Sequence, residues 1–342
     1  MKTLAIDCID LEKVYESRKL QGLIPPKWKT KRVTALNSLS LQVKRGEIMG
    51  LLGPNGAGKT TTIQILAGLL VPDNGDAYIH GINAIAEPER VKRIVGVVAG
   101  GDTRQLYNKL NARENLRYWG HLHGMDGPYL EERIDFLLEL VGLQDRQDDE
   151  FEKFSLGMSQ RLVLARGMIH DPEVLLLDEP TLGLDPKASR EMRSFIKKKL
   201  VEEQEKTILL TTHEMHVAEE LSDRIAIINR GSIVALDEPS KLREMVPNDF
   251  RIQVDIRNIT PQIQQALSYN GLVVQDHKYL EHENVDRFVI STDDEERAIK
   301  RVIDAVRLSE EARLVGIDLR EATLEDAFVF LTDDNLEVSV NA

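Results

Sequence analysis

Gly53-Pro54-Asn55-Gly56-Ala57-Gly58-Lys59-Thr60, followed by Thr61, sets three glycines ahead of a lysine and two hydroxyl residues. Glycines at this spacing let backbone N–H groups turn inward around an anion, and the N-terminus of the helix that follows adds the positive end of its dipole. The spacing matches the phosphate-loop pattern, in which the lysine reaches the β and γ oxygens of a nucleotide and Thr60 offers its hydroxyl oxygen to magnesium. The flanks agree: an apolar run at 48–52 precedes the loop, and Ile63, Leu66, Ala67 and Leu70 share one helical face after it. A glycine turn with no ligand is the plainer reading of the letters alone, and those flanks argue against it.

Val174-Leu175-Leu176-Leu177-Asp178-Glu179-Pro180 is an apolar run ending in two adjacent carboxylates. A buried strand tolerates acids at its end only where they meet solvent or a cation. Asp178 suits magnesium, directly or through water, and Glu179 suits a general base that orients and polarises an attacking water. Capping of the next turn is the structural alternative, and the phosphate loop upstream favours chemistry. His213 follows the run 207–212 at its carboxyl end, where ligands gather in open α/β sheets.

Phe154-Ser155-Leu156-Gly157-Met158-Ser159-Gln160-Arg161 leads into a helix carrying Leu164, Ala165, Met168 and Ile169. Ser155, the N–H of Gly157 and that helix N-terminus would form a second anion site. The segment resembles the C-motif of ABC ATPases, usually written LSGGQ, and stands at the expected place ahead of Asp178-Glu179. Leu156 replaces the usual glycine and Met158 the usual glutamine, substitutions that resemble the drug-exporter branch of the family. Leu182-Gly183-Leu184-Asp185 is similar to the family's D-loop, and Asp185 before Pro186 also suits a helix N-cap. His213 resembles the switch histidine that contacts the γ-phosphate and the attacking water. Tyr15 resembles the aromatic that stacks on adenine, although a plain packing role explains it too. The clearest departure is the Q-loop: Ala99-Gly100-Gly101-Asp102 stands where the family places its glutamine, which leaves Asp102 or Gln105 to substitute.

The resemblance covers residues 4–240 and implies an ATP-binding and ATP-hydrolysing subunit that uses ATP and Mg2+. It further implies a head-to-tail dimer, with a second copy or a related subunit, that drives a separate integral-membrane permease from the cytoplasmic face of the membrane, with export as the direction. Residues 322–328, Ala-Thr-Leu-Glu-Asp-Ala-Phe, are similar to the closing segment of exporter-type subunits, and an amphipathic terminal helix explains the same letters. Two rival functions remain. A soluble ABC-type ATPase acting on ribosomes or DNA would carry two cassettes or a long coiled coil, and this chain has neither. A regulatory subunit that binds nucleotide without hydrolysing it is favoured by the missing Q-loop glutamine and opposed by Glu179 and His213.

To bring these residues together the chain must form an α/β domain. Short apolar runs at 48–52, 94–98, 174–177, 208–210 and 225–228 read as buried strands of a mostly parallel sheet. With the resemblance, the expected fold is a P-loop NTPase over 1–240 with an inserted helical subdomain at about 102–170. Within the insert, Asn111 to Glu114 has capping-box spacing, and Leu130, Ile134, Leu137, Leu138 and Val141 keep helical spacing up to Gly142. Residues 245–342 read as a small α+β accessory domain: strand 251–258, helix 261–269, strands 271–275 and 286–292, helix 294–307 and strand 313–320. This is the order of a ferredoxin-like sandwich, and Thr323 caps a last helix.

Residues 17–32 form a basic stretch, Arg18, Lys19, Lys27, Lys29, Lys31 and Arg32 around Pro25, Pro26 and Trp28. It reads as a loop, either a solvated insertion or a contact with membrane headgroups or a partner. The whole chain, 342 residues with a formal net charge of -13, has no global attraction for nucleic acid or anionic lipid. Cys8 is the one cysteine, so no intrachain disulfide or zinc site is expected, as in a reducing compartment. No apolar run approaches the roughly 18 residues needed to span a bilayer, so another polypeptide is expected to do the spanning.

Overall fold

The computed structural model describes residues 3–21, 27–100, 106–246, 250–269, 273–292, 294–320 and 322–332. The chain divides into two compact units, Met1–Pro239 and Ser240–Ala342.

The first unit opens with an antiparallel hairpin of β1 (Leu4–Gln21) and β2 (Lys27–Lys44), whose pairing runs out to Gln21 opposite Lys27. The basic stretch expected as a loop is therefore largely strand in its backbone, with residues 22–26 outside the described set. β3 (Ile48–Leu52) follows, then α1 (Lys59–Leu66), β4 (Asn74–Ile79), β5 (Ile82–Asn83), the short α2 (Pro88–Val91) and β6 (Val95–Ala99). The helical insert supplies α3 (Ala112–Leu122), α4 (Gly127–Leu140) and α5 (Leu156–Gly167). The chain returns to the sheet in β7 (Val174–Asp178), then α6 (Pro186–Phe195), which runs on as a π-helix over Ile196–Glu203. β8 (Thr207–Thr212), α7 (Met215–Leu221), β9 (Arg224–Asn229) and β10 (Ser232–Asp237) complete the unit, and α8 (Pro239–Glu244) follows.

One sheet has the order β10-β9-β3-β8-β7-β6, parallel from β9 to β6; the other, antiparallel, has the order β2-β1-β4-β5. The second sheet is not visible as an alternating pattern in the sequence, because β1 carries several register shifts that break the two-residue period. The parallel strands are buried on both faces, as their continuous apolar runs require. Ile48, Leu175, Leu177, Ile208 and Leu210 pack with Leu116, Leu130, Leu162 and Val217 of the helices. Met49, Leu51, Val174, Leu176 and Leu209 face the opposite way, onto Ile63 and Leu66 of α1 and Ile6, Leu41 and Ala77 of the antiparallel sheet. Both halves of the capping box at Asn111 and Glu114 are present, which fixes where α3 begins.

The second unit contains β11 (Phe250–Arg257), α9 (Pro261–Tyr269), β12 (Val273–Leu280), β13 (Val285–Thr292), α10 (Glu295–Val306), β14 (Arg313–Arg320) and α11 (Leu324–Thr332). Its antiparallel sheet has the order β12-β13-β11-β14 and packs Ile252, Val254, Phe288 and Ile290 against Ile263, Leu267, Ala298 and Val302. β12 extends five residues beyond the run expected at 271–275, into polar residues that pair with β13 across a tight turn. Thr323 and Asp326 exchange hydrogen bonds at the start of α11.

Candidate functional site

The phosphate loop joins β3 to α1 and is tied down from several sides. The Lys59 Nζ donates to the carbonyls of Gly53 at 2.7 Å and Pro54 at 3.2 Å, so the lysine curls back over the loop it terminates. Gly58 has φ +113°, and a Cβ there would lie 2.4 Å from the Ala35 carbonyl oxygen, so only glycine passes. No acidic residue occupies the first turn of α1 and no side chain caps it, which leaves the positive end of that helix free for an anion.

Opposite the loop, β7 and β8 deliver the acids and the histidine. The Thr60 hydroxyl donates to Asp178 Oδ2 at 2.9 Å. Glu179 is one residue beyond the strand with φ +53°, and its side chain is only 16% exposed. Its Oε1 lies 2.9 Å from His213 Nδ1 and 3.5 Å from Lys59 Nζ, so carboxylate, histidine and lysine already meet. Paired strand ends explain the convergence, since Asp178 is in register with both Ala99 of β6 and Thr211 of β8.

These groups border a cavity of about 440 Å³. Asn55, Gly56, Gly58, Lys59, Thr60 and Thr61 form one side, Gly100, Asp178, Glu179 and Leu182 another, and Tyr15, Val33 and Ala35 a third. Gly53, Pro54 and Ala57 shape the loop without lining the cavity, and His213 reaches it through Glu179. Tyr15 and Val33 are cross-strand partners, both partly exposed, and make a small apolar wall suited to a flat base. Val33 and Ala35 were not singled out from the sequence, and Gly100 and Leu182 only as letters of the Q-loop and D-loop segments; Val33 could have been found only by pairing the hairpin with Tyr15 as its anchor. Asp102 and Gln105, the two Q-loop substitutes, lie outside the described residues.

Ser155, Gly157 and Asp185 do not line this cavity. The exposed Ser155 caps α5 by accepting from the Met158 N–H, Asp185 caps α6 by accepting from Lys187 and Ala188, and a Cβ on Gly157 would meet Ala188 at 3.4 Å. They form a patch of their own, with Gln160 tying it to the Leu182 carbonyl.

The adjoining Thr60 hydroxyl and Asp178 carboxylate offer two oxygen donors at the phosphate end of the cavity, the donor type of a hard divalent cation. Among the described residues no group of three His, Cys, Asp or Glu could hold a metal unaided. A cation here fits one that takes its other ligands from phosphate and water, as magnesium does.

Residues 36–182 match the ABC transporter family model. The linearmycin resistance ATP-binding protein LnrL of Bacillus subtilis is 32% identical over 307 residues, covering 89% of this chain and 95% of that protein. This chain belongs to the ABC transporter ATP-binding family. The daunorubicin resistance ATP-binding protein DrrA3 of Streptomyces coeruleorubidus is 35% identical over 309 residues, 89% of this chain and 93% of that one. Among solved structures, the dimeric post-hydrolysis state of the ATP-binding cassette MJ0796 bound to ADP and Pi is similar with a TM-score of 0.57 at 26% identity, covering 68% of this chain and 98% of that one. The chain is thus an ABC ATPase subunit of the drug-exporter branch: it binds ATP and hydrolyses it to power transport. Among its described residues, no helix is long and apolar enough to cross a membrane.

Proposed function

We propose that the 440 Å³ cavity takes MgATP with the adenine on Tyr15 and the phosphates on the loop at 53–61, and that Glu179 is the base that activates water for attack on the γ-phosphate. The observation that carries this is the meeting of Lys59, Asp178, Glu179 and His213 at one end of the parallel sheet, from three separate stretches of chain. Lys59 and the α1 N-terminus neutralise phosphate charge, and incoming phosphate oxygens compete with Glu179 for the same ammonium, which frees the carboxylate for water. Thr60 and Asp178 would hold Mg2+, which would supply positive charge to offset that of the phosphates. Water attacks phosphorus, ADP leaves, and Glu179 takes the water's proton while His213 Nδ1 holds its Oε1.

Ser155 and Gly157, which do not line the cavity of their own chain, suit the sealing of the cavity of a second copy or related subunit, with Asp185 beside them. The dimeric state of MJ0796 with ADP and Pi supports that arrangement. Such a dimer acts on a separate integral-membrane permease from the cytoplasmic face, and the linearmycin and daunorubicin relatives point to drug export as its task. No nucleic acid takes part.

Replacing Glu179 by Gln tests the core of this. ATP binding should persist, phosphate release should fall by about 10² to 10⁴, and light scattering in MgATP should show twice the mass of the 38.7 kDa chain. Turnover at the parental rate would remove Glu179 from its role.

A further inference from the structure

We infer that Thr211 is a positioning residue for ATP hydrolysis, its hydroxyl holding the Asp178 carboxylate and the Glu179 peptide in one fixed relation. The proposal rests on the roles given above to Asp178 and Glu179. Thr211 lies one residue from the end of β8, fully buried, in register with Asp178. Its Oγ1 donates to Asp178 Oδ1 and accepts from the Glu179 N–H at 3.2 Å. A hydroxyl has one hydrogen to give and lone pairs to receive, so both bonds form at once.

The consequence is a carboxylate gripped at both oxygens from two elements, Oδ1 by Thr211 of β8 and Oδ2 by Thr60 of α1. Glu179, next along, sits in left-handed backbone that a non-glycine residue keeps only where its surroundings hold it. Thr211 holds it from the β8 side through the hydroxyl and also through its carbonyl, which accepts the Glu179 N–H at 3.1 Å. Gly100 closes the other side. Its N–H donates to the Asp178 carbonyl at 2.6 Å, and a Cβ there would lie 1.7 Å from the Glu179 carbonyl oxygen. The dipeptide that pairs a metal-holding acid with a base is therefore clamped between the ends of β6 and β8, and among the described residues the Thr211 hydroxyl is the one side chain bonded to both of its members. Groups that orient a metal ligand from behind in this way set how well it binds and how fast the site turns over.

Two full-length variants test this. Thr211→Val keeps the shape and drops the hydroxyl; Thr211→Ser keeps the hydroxyl and drops the methyl. For each, turnover of MgATP, affinity for ATP in EDTA, and binding of Mn2+ in saturating ATPγS, followed by electron paramagnetic resonance, are compared with the parent. Thr211→Val should lose about 10- to 100-fold in both kcat and Mn2+ affinity, with metal-free ATP affinity within about twofold and Thr211→Ser within about threefold of the parent throughout. Parental kcat and Mn2+ affinity in Thr211→Val would overturn the proposal. So would a Thr211→Ser variant as impaired as Thr211→Val, or an equal loss of metal-free ATP binding, because each points to packing instead of the hydroxyl. Glu179→Gln run beside them separates the two claims. An active Glu179→Gln sinks the base assignment while the Mn2+ data still judge Thr211; an inactive one beside a normal Thr211→Val sinks only Thr211.

Discussion

At the scale of single residues, the phosphate contact proposed for Lys59 competes with the bonds its ammonium already makes. Its side chain is 6% exposed, its ammonium bonds two loop carbonyls, and Glu179 lies 3.5 Å from it. A buried ammonium is tolerated only with such partners, so the loop and Glu179 hold it until phosphate oxygens offer better ones. Lys59→Ala should weaken ATP binding by about tenfold or more, the loss of one charge-assisted contact, as read by equilibrium titration; unchanged affinity would contradict the assignment. The motif letters made Lys59, Thr60, Asp178 and Glu179 legible. The role of Thr211 was hidden in β8, because nothing in a threonine announces which carbonyl or carboxylate will lie across from it.

At the scale of elements, the end of α5 is joined to the C-terminus of α3 and to β6 by two histidines. His170 Nε2 lies 3.0 Å from the Val95 carbonyl oxygen, its ring stacks on His123 with centroids 4.0 Å apart, and its Nδ1 has no partner. Burial, reinforced by the neighbouring His123, pushes its pKa down from 6.5 to about 4. His123 is shifted the same way, by burial and the charge of Arg166. The native state thus refuses a proton that the unfolded chain accepts, so the contribution of His170 to stability is intact above about pH 6.5, falls as pH drops towards 4, and levels off below. Between pH 7 and 5 the parent should lose about 2 kcal/mol more than His170→Phe, which keeps a stacking ring without the titration, in urea unfolding. Equal losses would show that His170 titrates freely. The helices themselves were readable from capping residues and apolar spacing, whereas the antiparallel sheet was missed because the bulges of β1 break its alternation.

For the whole molecule, the two units carry separate apolar cores, the first within residues 5–228 and the second within 252–306. Phe288 is 1% exposed at the centre of the second, with the His277 ring stacked on it at 4.2 Å. Phe288→Ala should cost the second unit about 3 to 5 kcal/mol. Limited proteolysis followed by mass spectrometry should then show cuts within 250–332 while Met1–Pro239 stays resistant and ATP affinity is unchanged. Loss of ATP binding in that variant would mean the cores are coupled.

By itself the sequence determined the local structure: which residues make the glycine-rich turn ahead of α1, which acids end a buried strand, which polar residues start a helix. Those depend on neighbours a few positions apart, where spacing and residue type are sufficient. The tertiary structure decided what depends on register between distant segments: that Tyr15 faces Val33, that Thr211 bridges Asp178 and Glu179, and that Ser155 is not among the residues lining the cavity beside Lys59. A strand shifted by one residue reverses every side chain while leaving the letters unchanged, and for that reason register is legible only once the sheets are assembled.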